Sequence, residues 1–193
     1  MAKLAEESKS LNLAIALEDI LTQNARCGKT HVIAIDGAAG SGKTTLACEL
    51  SLALSLEHSI VVIHLDDIYE GWDDALGSSL TSKLKNLLVA ISQGKSFTLP
   101  IFDWSIGAFS SQKVISPSDV LIIEGVGSAQ AVVRPWTAAT IWLDVAANEG
   151  LRRVLDRDGD SIVSEMVRWQ LREAEHFYSD QTRENADFIL STS

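Results

Sequence analysis

Cysteine is scarce in this sequence, and the scarcity excludes two classes of small protein. The 193 residues include 2 cysteines, Cys27 and Cys48. Their separation fits neither the paired spacing of a zinc site nor the dense framework of a disulfide-stabilised domain. We therefore expect both thiols to be reduced.

Long apolar runs and an excess of basic residues are also missing. No run approaches the roughly 20 residues that a membrane helix needs, and the opening "MAKLAEESKS" lacks the apolar core of a signal peptide. Acidic residues outnumber basic ones by 26 to 16, which gives a net charge of −10. Because this charge repels nucleic acid and anionic membranes, we expect a cytoplasmic protein with neither as a partner. Homodimer formation stays open.

Short apolar runs rich in valine and isoleucine alternate with helical stretches. The runs are "HVIAID" (31–36), "IVVIHL" (60–65), "VLIIE" (120–124), "TIWLDV" (140–145) and "DFILS" (187–191). Such runs are typical of parallel strands covered on both faces. The alternation predicts an α/β fold, a three-layer doubly wound sandwich with a mostly parallel five-stranded sheet.

The remaining segments complete the predicted architecture. We expect a single domain over residues 1–193, since this length supports one core. Residues 1–28 predict an N-terminal helical extension, and residues 150–165 a short lid. The stretch from Phe97 to Pro117 predicts an irregular loop with at most short strands.

The first predicted strand runs into "GAAGSGKT", which fits the phosphate-binding pattern G-x-x-x-x-G-K-[ST] and is followed by a helix. The glycines let backbone amides curve around phosphate oxygens, and the helix N-terminus adds a positive dipole end. The motif predicts a P-loop NTPase that uses ATP and Mg²⁺. The predicted phosphate-binding residues are Gly37, Ala39, Gly40, Ser41, Gly42, Lys43, Thr44 and Thr45.

Carboxylates at two strand ends extend this prediction to chemistry. Glu124 ends the third strand, where P-loop proteins carry a Mg²⁺-site carboxylate, so we assign the metal to Thr44, Asp66 and Glu124. Asp66 ends the second strand, where it could accept the proton of an attacking hydroxyl. Because strand side chains alternate between faces, we expect Asp66 to face the phosphates and Asp67 to serve as a turn residue.

Arginine is absent from residues 27–133, and residues 66–133 carry 4 lysines as their only basic side chains. An enzyme that phosphorylates a nucleotide must bind the acceptor's phosphate, usually with arginine. The gap therefore favours a neutral acceptor.

The same region is rich in acidic and aromatic side chains. Carboxylates accept hydrogen bonds from hydroxyl groups, and aromatic faces stack on rings. We assign acceptor binding to Tyr69, Trp72, Phe102, Asp103 and Trp104. The alternative for the aromatic residues is a small core beneath a lid.

Arginines return after the fourth strand, in the predicted lid. Arg153 and Arg157 are helical neighbours that could stabilise charge on a transferred phosphoryl group, so both are assigned a catalytic role together with Lys43 and Asp66. The alternative is a solvated, salt-bridged helix face.

The chain resembles the uridine kinase group of P-loop kinases, which is similar to pantothenate kinase and phosphoribulokinase. The resemblance lies in "GAAGSGKTT", "LDDIY", "FDW", "LIIEG", "RRVLDRD" and "ADFIL" and covers most of residues 30–190. It implies that Asp66 is the base and that Tyr69 and "FDW" lie near a nucleoside. Phe102 stands where the family has a tyrosine, and the lid "RDGD" is short.

Three hypotheses follow. The first is an ATP-dependent kinase for a hydroxyl of a neutral molecule, with a nucleoside as the leading acceptor. The second is a kinase for another acceptor: pantothenate, a sugar, or CMP or UMP, since "IAIDGAAGSGKTT" is also similar to the opening of cytidylate kinases. The third is an ATP-binding regulatory module without catalysis.

Overall fold

The computed structural model describes the backbone of residues 2–192 and the side chains of residues 11–192. Its strands are β1 (His31–Gly37), β2 (Ile60–His64), β3 (Phe97–Asp103), β4 (Ala108–Ile115), β5 (Val120–Glu124), β6 (Thr137–Asp144) and β7 (Phe188–Ser191). Its α-helices are α1 (Ala2–Leu21), α2 (Lys43–Leu54), α3 (Ser78–Ser92), α4 (Ala147–Asp158) and α5 (Val163–Asp180).

Five strands form the central sheet in the order β2-β5-β1-β6-β7, and every neighbouring pair is parallel. Alternate side chains enter two cores on opposite faces. Val32 and Leu121 pack with α3 and α5, whereas Ile33 and Ile122 pack with α1 and α2. Helices on both faces of a parallel sheet confirm the predicted three-layer α/β fold.

The N-terminal helix α1 covers one face of the sheet. Leu13, Leu17 and Leu21 are buried against α2 and the strands, whereas Leu11 and Ile15 of the same helix are exposed. Of the predicted extension over residues 1–28, Met1 and the side chains of residues 2–10 lie outside the described residues. No α-helix of residues 2–192 has both the length and the apolar character needed to span a membrane. Cys27 and Cys48 are free thiols, as expected.

The stretch from Phe97 to Pro117 corrects one prediction. Instead of an irregular loop, β3 and β4 form an antiparallel hairpin, with Phe97 opposite Ile115 and Asp103 opposite Ala108. The sequence signal is weak because only Ile115 of β4 is buried, so β4 has no alternation of apolar and polar side chains. Pro100 also argues against a strand, although a two-stranded sheet, where each strand is an edge, tolerates it.

Candidate active site

A cleft of about 1060 Å³ opens at the carboxyl ends of the parallel strands. Its walls come from the loop after β1, the end of β5, the turn after β2, the hairpin tip, α4, α5 and the end of β7. Ligands of doubly wound sheets bind in this position because strand-end loops converge there. The cleft therefore contains most of the residues that the sequence selects.

The loop from Gly37 to Gly42 holds its shape through backbone contacts. A side chain at Gly40 would place its Cβ 2.2 Å from the carbonyl oxygen of Gly150, and a Cβ at Gly150 would lie 2.5 Å from the carbonyl oxygen of Ala39. Helix α4 thus packs directly on the loop, backbone against backbone. Only glycine permits this approach.

Lys43 is the first residue of α2, and its ammonium group contacts the phosphate-binding loop. The Nζ atom donates hydrogen bonds to the carbonyl oxygens of Gly37 and Ala38, each at 2.8 Å. The buried hydroxyl of Ser41, by contrast, has no hydrogen-bond partner in the described part of the chain. An orphaned donor in a loop beside a helix N-terminus fits a phosphate oxygen as its partner. All predicted phosphate-binding residues line the cleft except Gly37.

Thr44 and Glu124 meet at the base of the cleft. The Thr44 hydroxyl donates to Glu124 Oε1 at 3.1 Å, and Asp66 lies close enough to Glu124 for their charges to interact. Hydroxyl and carboxylate oxygens are the ligands that Mg²⁺ prefers, and Mg²⁺ commonly uses one or two carboxylates together with water and substrate phosphates. Within residues 11–192, no group of three or more His, Cys, Asp or Glu side chains is placed to hold a metal ion.

Asp66 lies on a 3₁₀ turn, Leu65–Asp67, that follows β2. The Asp66 side chain is open to solvent at the cleft, and the surrounding protein displaces part of its hydration shell. This partial desolvation is the largest cause that raises the pKa of Asp66; the charges of Glu124 and Asp67 also raise it, whereas those of Lys43 and Arg157 lower it. A carboxylate with a raised pKa is better suited to accept a proton.

Asp67 lies on this turn, as expected, but the prediction from strand alternation was wrong. The strand ends at His64, so strand alternation does not apply to the two aspartates, and both line the cleft.

His64 is a residue of this cluster whose orientation the sequence left undecided. Its Nδ1 atom lies 2.6 Å from Glu124 Oε1. The contact follows from strand register, because β2 and β5 are parallel and His64 pairs directly with Glu124. Aligning "IVVIH" with "VLIIE" as neighbouring strands would have revealed it.

The two lid arginines take different positions. Arg153 donates to Glu149 Oε1 at 2.8 Å and to the carbonyl oxygen of Gly40 at 3.4 Å, so it contacts the phosphate-binding loop. Arg157 lines the cleft, pairs with Asp158 at 2.7 Å and interacts with the charge of Asp66. The alternative of a solvated, salt-bridged face describes Arg152, which is exposed and pairs with Glu149, and it also fits Arg157, which is exposed and paired with Asp158.

Four aromatic side chains from three segments form what we call the aromatic wall: Tyr69, Trp72, Trp104 and Trp169. Ring centroids lie 5.1 Å apart for Trp72 and Trp104, 6.0 Å for Trp72 and Trp169, and 5.6 Å for Tyr69 and Trp169. These tilted contacts are typical of aromatic pairs. The wall lies on the Asp66 side of the cleft.

The polar atoms of the wall are partly occupied by the protein. The Tyr69 hydroxyl donates to the carbonyl oxygen of Val126 at 2.8 Å, and burial raises its pKa well above the ordinary value. The Trp104 indole N–H donates to the carbonyl oxygen of Asp66 at 2.9 Å. Trp104 thus ties the hairpin tip to the turn that carries Asp66.

Two predicted acceptor residues lie outside the walls of the cleft. Phe102 packs edge-on against Trp104, with ring centroids 5.2 Å apart, and so contacts a residue of the wall without lining the cleft itself. Asp103 accepts hydrogen bonds from the backbone N–H and the hydroxyl of Ser105. The sequence placed both in the site because they adjoin Trp104.

Helix α5 supplies residues that the sequence analysis missed. Trp169 and Met166 line the cleft from this helix, and both are also buried. Arg172 reaches the acceptor side, where it donates to the carbonyl oxygen of Trp72 at 2.6 Å and pairs with Asp73 at 2.8 Å. The arginine gap in residues 27–133 is therefore partly filled from another segment, by a charge that Asp73 already neutralises.

Comparisons with known proteins agree with this geometry. No protein-family model matches the chain. The chain is 26% identical to the uridine kinase of Staphylococcus aureus (strain JH9) over 186 residues, which cover 83% of this chain and 87% of that protein.

Solved structures extend the agreement to the fold. A structure described as a possible uridine kinase from Bacillus stearothermophilus has a TM-score of 0.67 and 23% identity, with 97% of this chain and 99% of that chain covered. A Silicibacter sp. TM1040 protein, provisionally named a fructose transport system kinase, has a TM-score of 0.69 and 21% identity, with 94% and 98% covered. The chain is therefore similar to uridine kinases in sequence and shares the α/β fold of these kinase structures.

Proposed function

We propose that this protein is an ATP-dependent kinase that transfers the γ-phosphoryl group to a hydroxyl of a small neutral molecule, with a nucleoside as the first candidate. One observation carries the proposal. Asp66 lies in a single cleft between the phosphate-binding loop, with its Thr44 and Glu124 pair, and the aromatic wall. A base between a phosphate donor site and a ring-binding surface is the arrangement that phosphorylation of an alcohol requires.

Each residue of the cleft has a separate role in the proposed transfer. Asp66 accepts the proton of the acceptor hydroxyl while that oxygen bonds to the γ-phosphorus and the bond to the ADP oxygen breaks. Lys43 and Arg157 supply positive charge on either side of the transferred group. Mg²⁺, held by Thr44 and Glu124 with Asp66 beside them, would neutralise charge on the phosphate oxygens.

The aromatic wall supports a flat acceptor ring. Stacking on aromatic side chains contributes about 1–3 kcal/mol per base in other proteins, and two polar atoms of the wall are already occupied. Arg172 is paired with Asp73, which also supports an acceptor without phosphate. Sugars remain a second candidate, since one structural neighbour carries a fructose-related name.

A panel of acceptors tests the proposal. Purified protein is supplied with ATP and Mg²⁺ and with nucleosides, pantothenate, sugars, CMP or UMP, and acceptor-dependent ADP release is measured. We expect turnover of a neutral acceptor, and Asp66→Asn should lower that rate by about 10² to 10⁴ while MgADP still binds.

The remaining outcomes identify the alternatives. Activity on CMP or UMP alone would contradict a neutral acceptor. Tight MgATP binding with no transfer to any member of the panel would favour the regulatory module. An Asp66→Asn variant as active as the wild type would remove Asp66 as the base.

A further inference from the structure

Glu173 is a buried carboxylate beside the phosphate-binding loop that the proposed chemistry does not use. It lies on α5 and is 4% exposed. Its Oε2 atom accepts the backbone N–H of Ala39 at 2.9 Å. Glutamate is almost never this buried unless it is paired, so its position calls for an explanation.

Trp169 lies one helical turn earlier on α5, on the acceptor side of this carboxylate. Hydrogen bonding from its side chain is one of the causes that lower the pKa of Glu173. Trp169 belongs to the aromatic wall, where its ring contacts Tyr69 and Trp72. Glu173 therefore bonds the phosphate-binding loop directly and lies one helical turn from a ring of the aromatic wall.

The energetics favour a role beyond packing. Burial raises the pKa of Glu173, whereas the Ala39 N–H, the charge of Lys43 and the Trp169 N–H lower it. The backbone N–H that Glu173 accepts is a neutral group, and Lys43 acts on the carboxylate without forming an ion pair with it. A buried charge that lacks an ion-pair partner costs stability. A neutral side chain would fill the same space at a lower cost, so stability alone does not account for a carboxylate.

We propose that Glu173 is a positioning residue that holds the phosphate-binding loop in place through the backbone N–H of Ala39 and couples the loop to Trp169 on the acceptor side. The inference rests on the proposed function, because it requires that the loop bind ATP. Its consequence is that a change at Trp169 alters nucleotide affinity without touching the nucleotide.

Glu173→Gln tests the first half of the inference. Glutamine keeps the shape but replaces one acceptor oxygen with an NH₂ group, so the Ala39 and Trp169 donors compete for the oxygen that remains. We expect the Kd for MgADP, measured by isothermal titration calorimetry, to rise about tenfold, the size of one lost hydrogen bond to a charged group.

Asp180→Asn is the matched control. Asp180 lies at the end of the same helix and also accepts a backbone N–H, that of Ala131 at 2.8 Å. It does not line the cleft, so its Kd for MgADP should stay within about twofold of the wild type. Thermal unfolding measures how much stability each variant has lost. If Glu173→Gln weakens MgADP binding more than Asp180→Asn at an equal loss of stability, the effect is local to the loop. Equal affinities in both variants would overturn the inference.

Trp169→Phe tests the coupling and decides the question if Glu173→Gln does not fold. Phenylalanine keeps an aromatic ring in the wall and removes the indole donor. We expect the Kd for MgADP to rise about threefold, a fraction of one hydrogen bond. An unchanged affinity would overturn the coupling. If the wild type itself fails to bind MgADP, the proposed function fails first and the inference falls with it.

Discussion

The two halves of the candidate active site are built in different ways. The donor half is one uninterrupted stretch, residues 37–45, whose backbone packs against the backbone of Gly150. The acceptor half is assembled from separate segments: the chain after β2, the hairpin tip and α5. Backbone geometry therefore determines the donor half, whereas side-chain identity determines the acceptor half.

This difference has a functional consequence. Triphosphates present the same oxygens in every reaction, so a fixed set of backbone donors suffices for them. Acceptors differ, and side chains carried on separate segments can change without disturbing the loop. A substitution on one half should therefore leave the other half largely intact, except through Glu173.

The largest effect is expected where the backbone contact is broken. Gly150→Val adds a Cβ that would lie 2.5 Å from the carbonyl oxygen of Ala39. Overpacking of this kind costs about 1–3 kcal/mol, and here it separates α4 from the loop. We expect a lower free energy of unfolding, measured with urea, and a Kd for MgADP raised by about tenfold or more.

Asn148→Val controls for the new side chain itself. Asn148 lies on the same helix and is exposed, so it receives the same β-branched residue without the clash. Its MgADP affinity should match the wild type. If both variants bind MgADP equally well, the backbone contact does not maintain the donor half.

An intermediate effect is expected on the acceptor half. Trp104→Ala removes one ring of the aromatic wall and the hydrogen bond to the Asp66 carbonyl oxygen. The KM for the acceptor found in the panel should rise about tenfold, the low end of a stacking contribution, with the Kd for MgADP unchanged. Trp104→Phe keeps a ring, so its acceptor KM should lie between those of the wild type and Trp104→Ala.

Val114→Ala separates the wall from the hairpin that carries it. Val114 is 63% exposed on β4 and lies outside the cleft. If this variant raises the acceptor KM as much as Trp104→Ala does, the effect comes from the hairpin's stability and not from the ring.

The contrast also explains how far the sequence predicts the structure. Strands β1 and β5 are continuous apolar runs, and the donor residues form a contiguous motif, so local pattern suffices for both. Trp169 and Glu173 face inward from α5, and their pattern is that of any helix with a buried face. Only the tertiary structure brings them to the cleft.

Strand β4 and the turn after β2 were missed for different reasons. An almost fully exposed strand carries no apolar alternation, and the 3₁₀ turn at Asp66 follows a strand without any glycine or proline to mark the boundary. Both lie on the acceptor half, where few local rules constrain the sequence.

The smallest effect is expected at His64, which lies between the two halves. Its Nδ1 atom contacts the oxygen of Glu124 that also accepts the Thr44 hydroxyl. Partners of metal-binding side chains commonly change metal affinity by about 10- to 100-fold. The His64 side chain is 38% exposed, so water can replace it, and we expect His64→Ala to raise the Mg²⁺ concentration needed for tight ADP binding by only about threefold. His64→Asn offers an amide N–H near the position of Nδ1 and should restore the wild-type requirement. Calorimetric titration with ADP at stepped Mg²⁺ concentrations measures both variants.

An alanine variant with the wild-type Mg²⁺ dependence would mean that Thr44 alone orients Glu124, and the metal site would then belong entirely to the donor half.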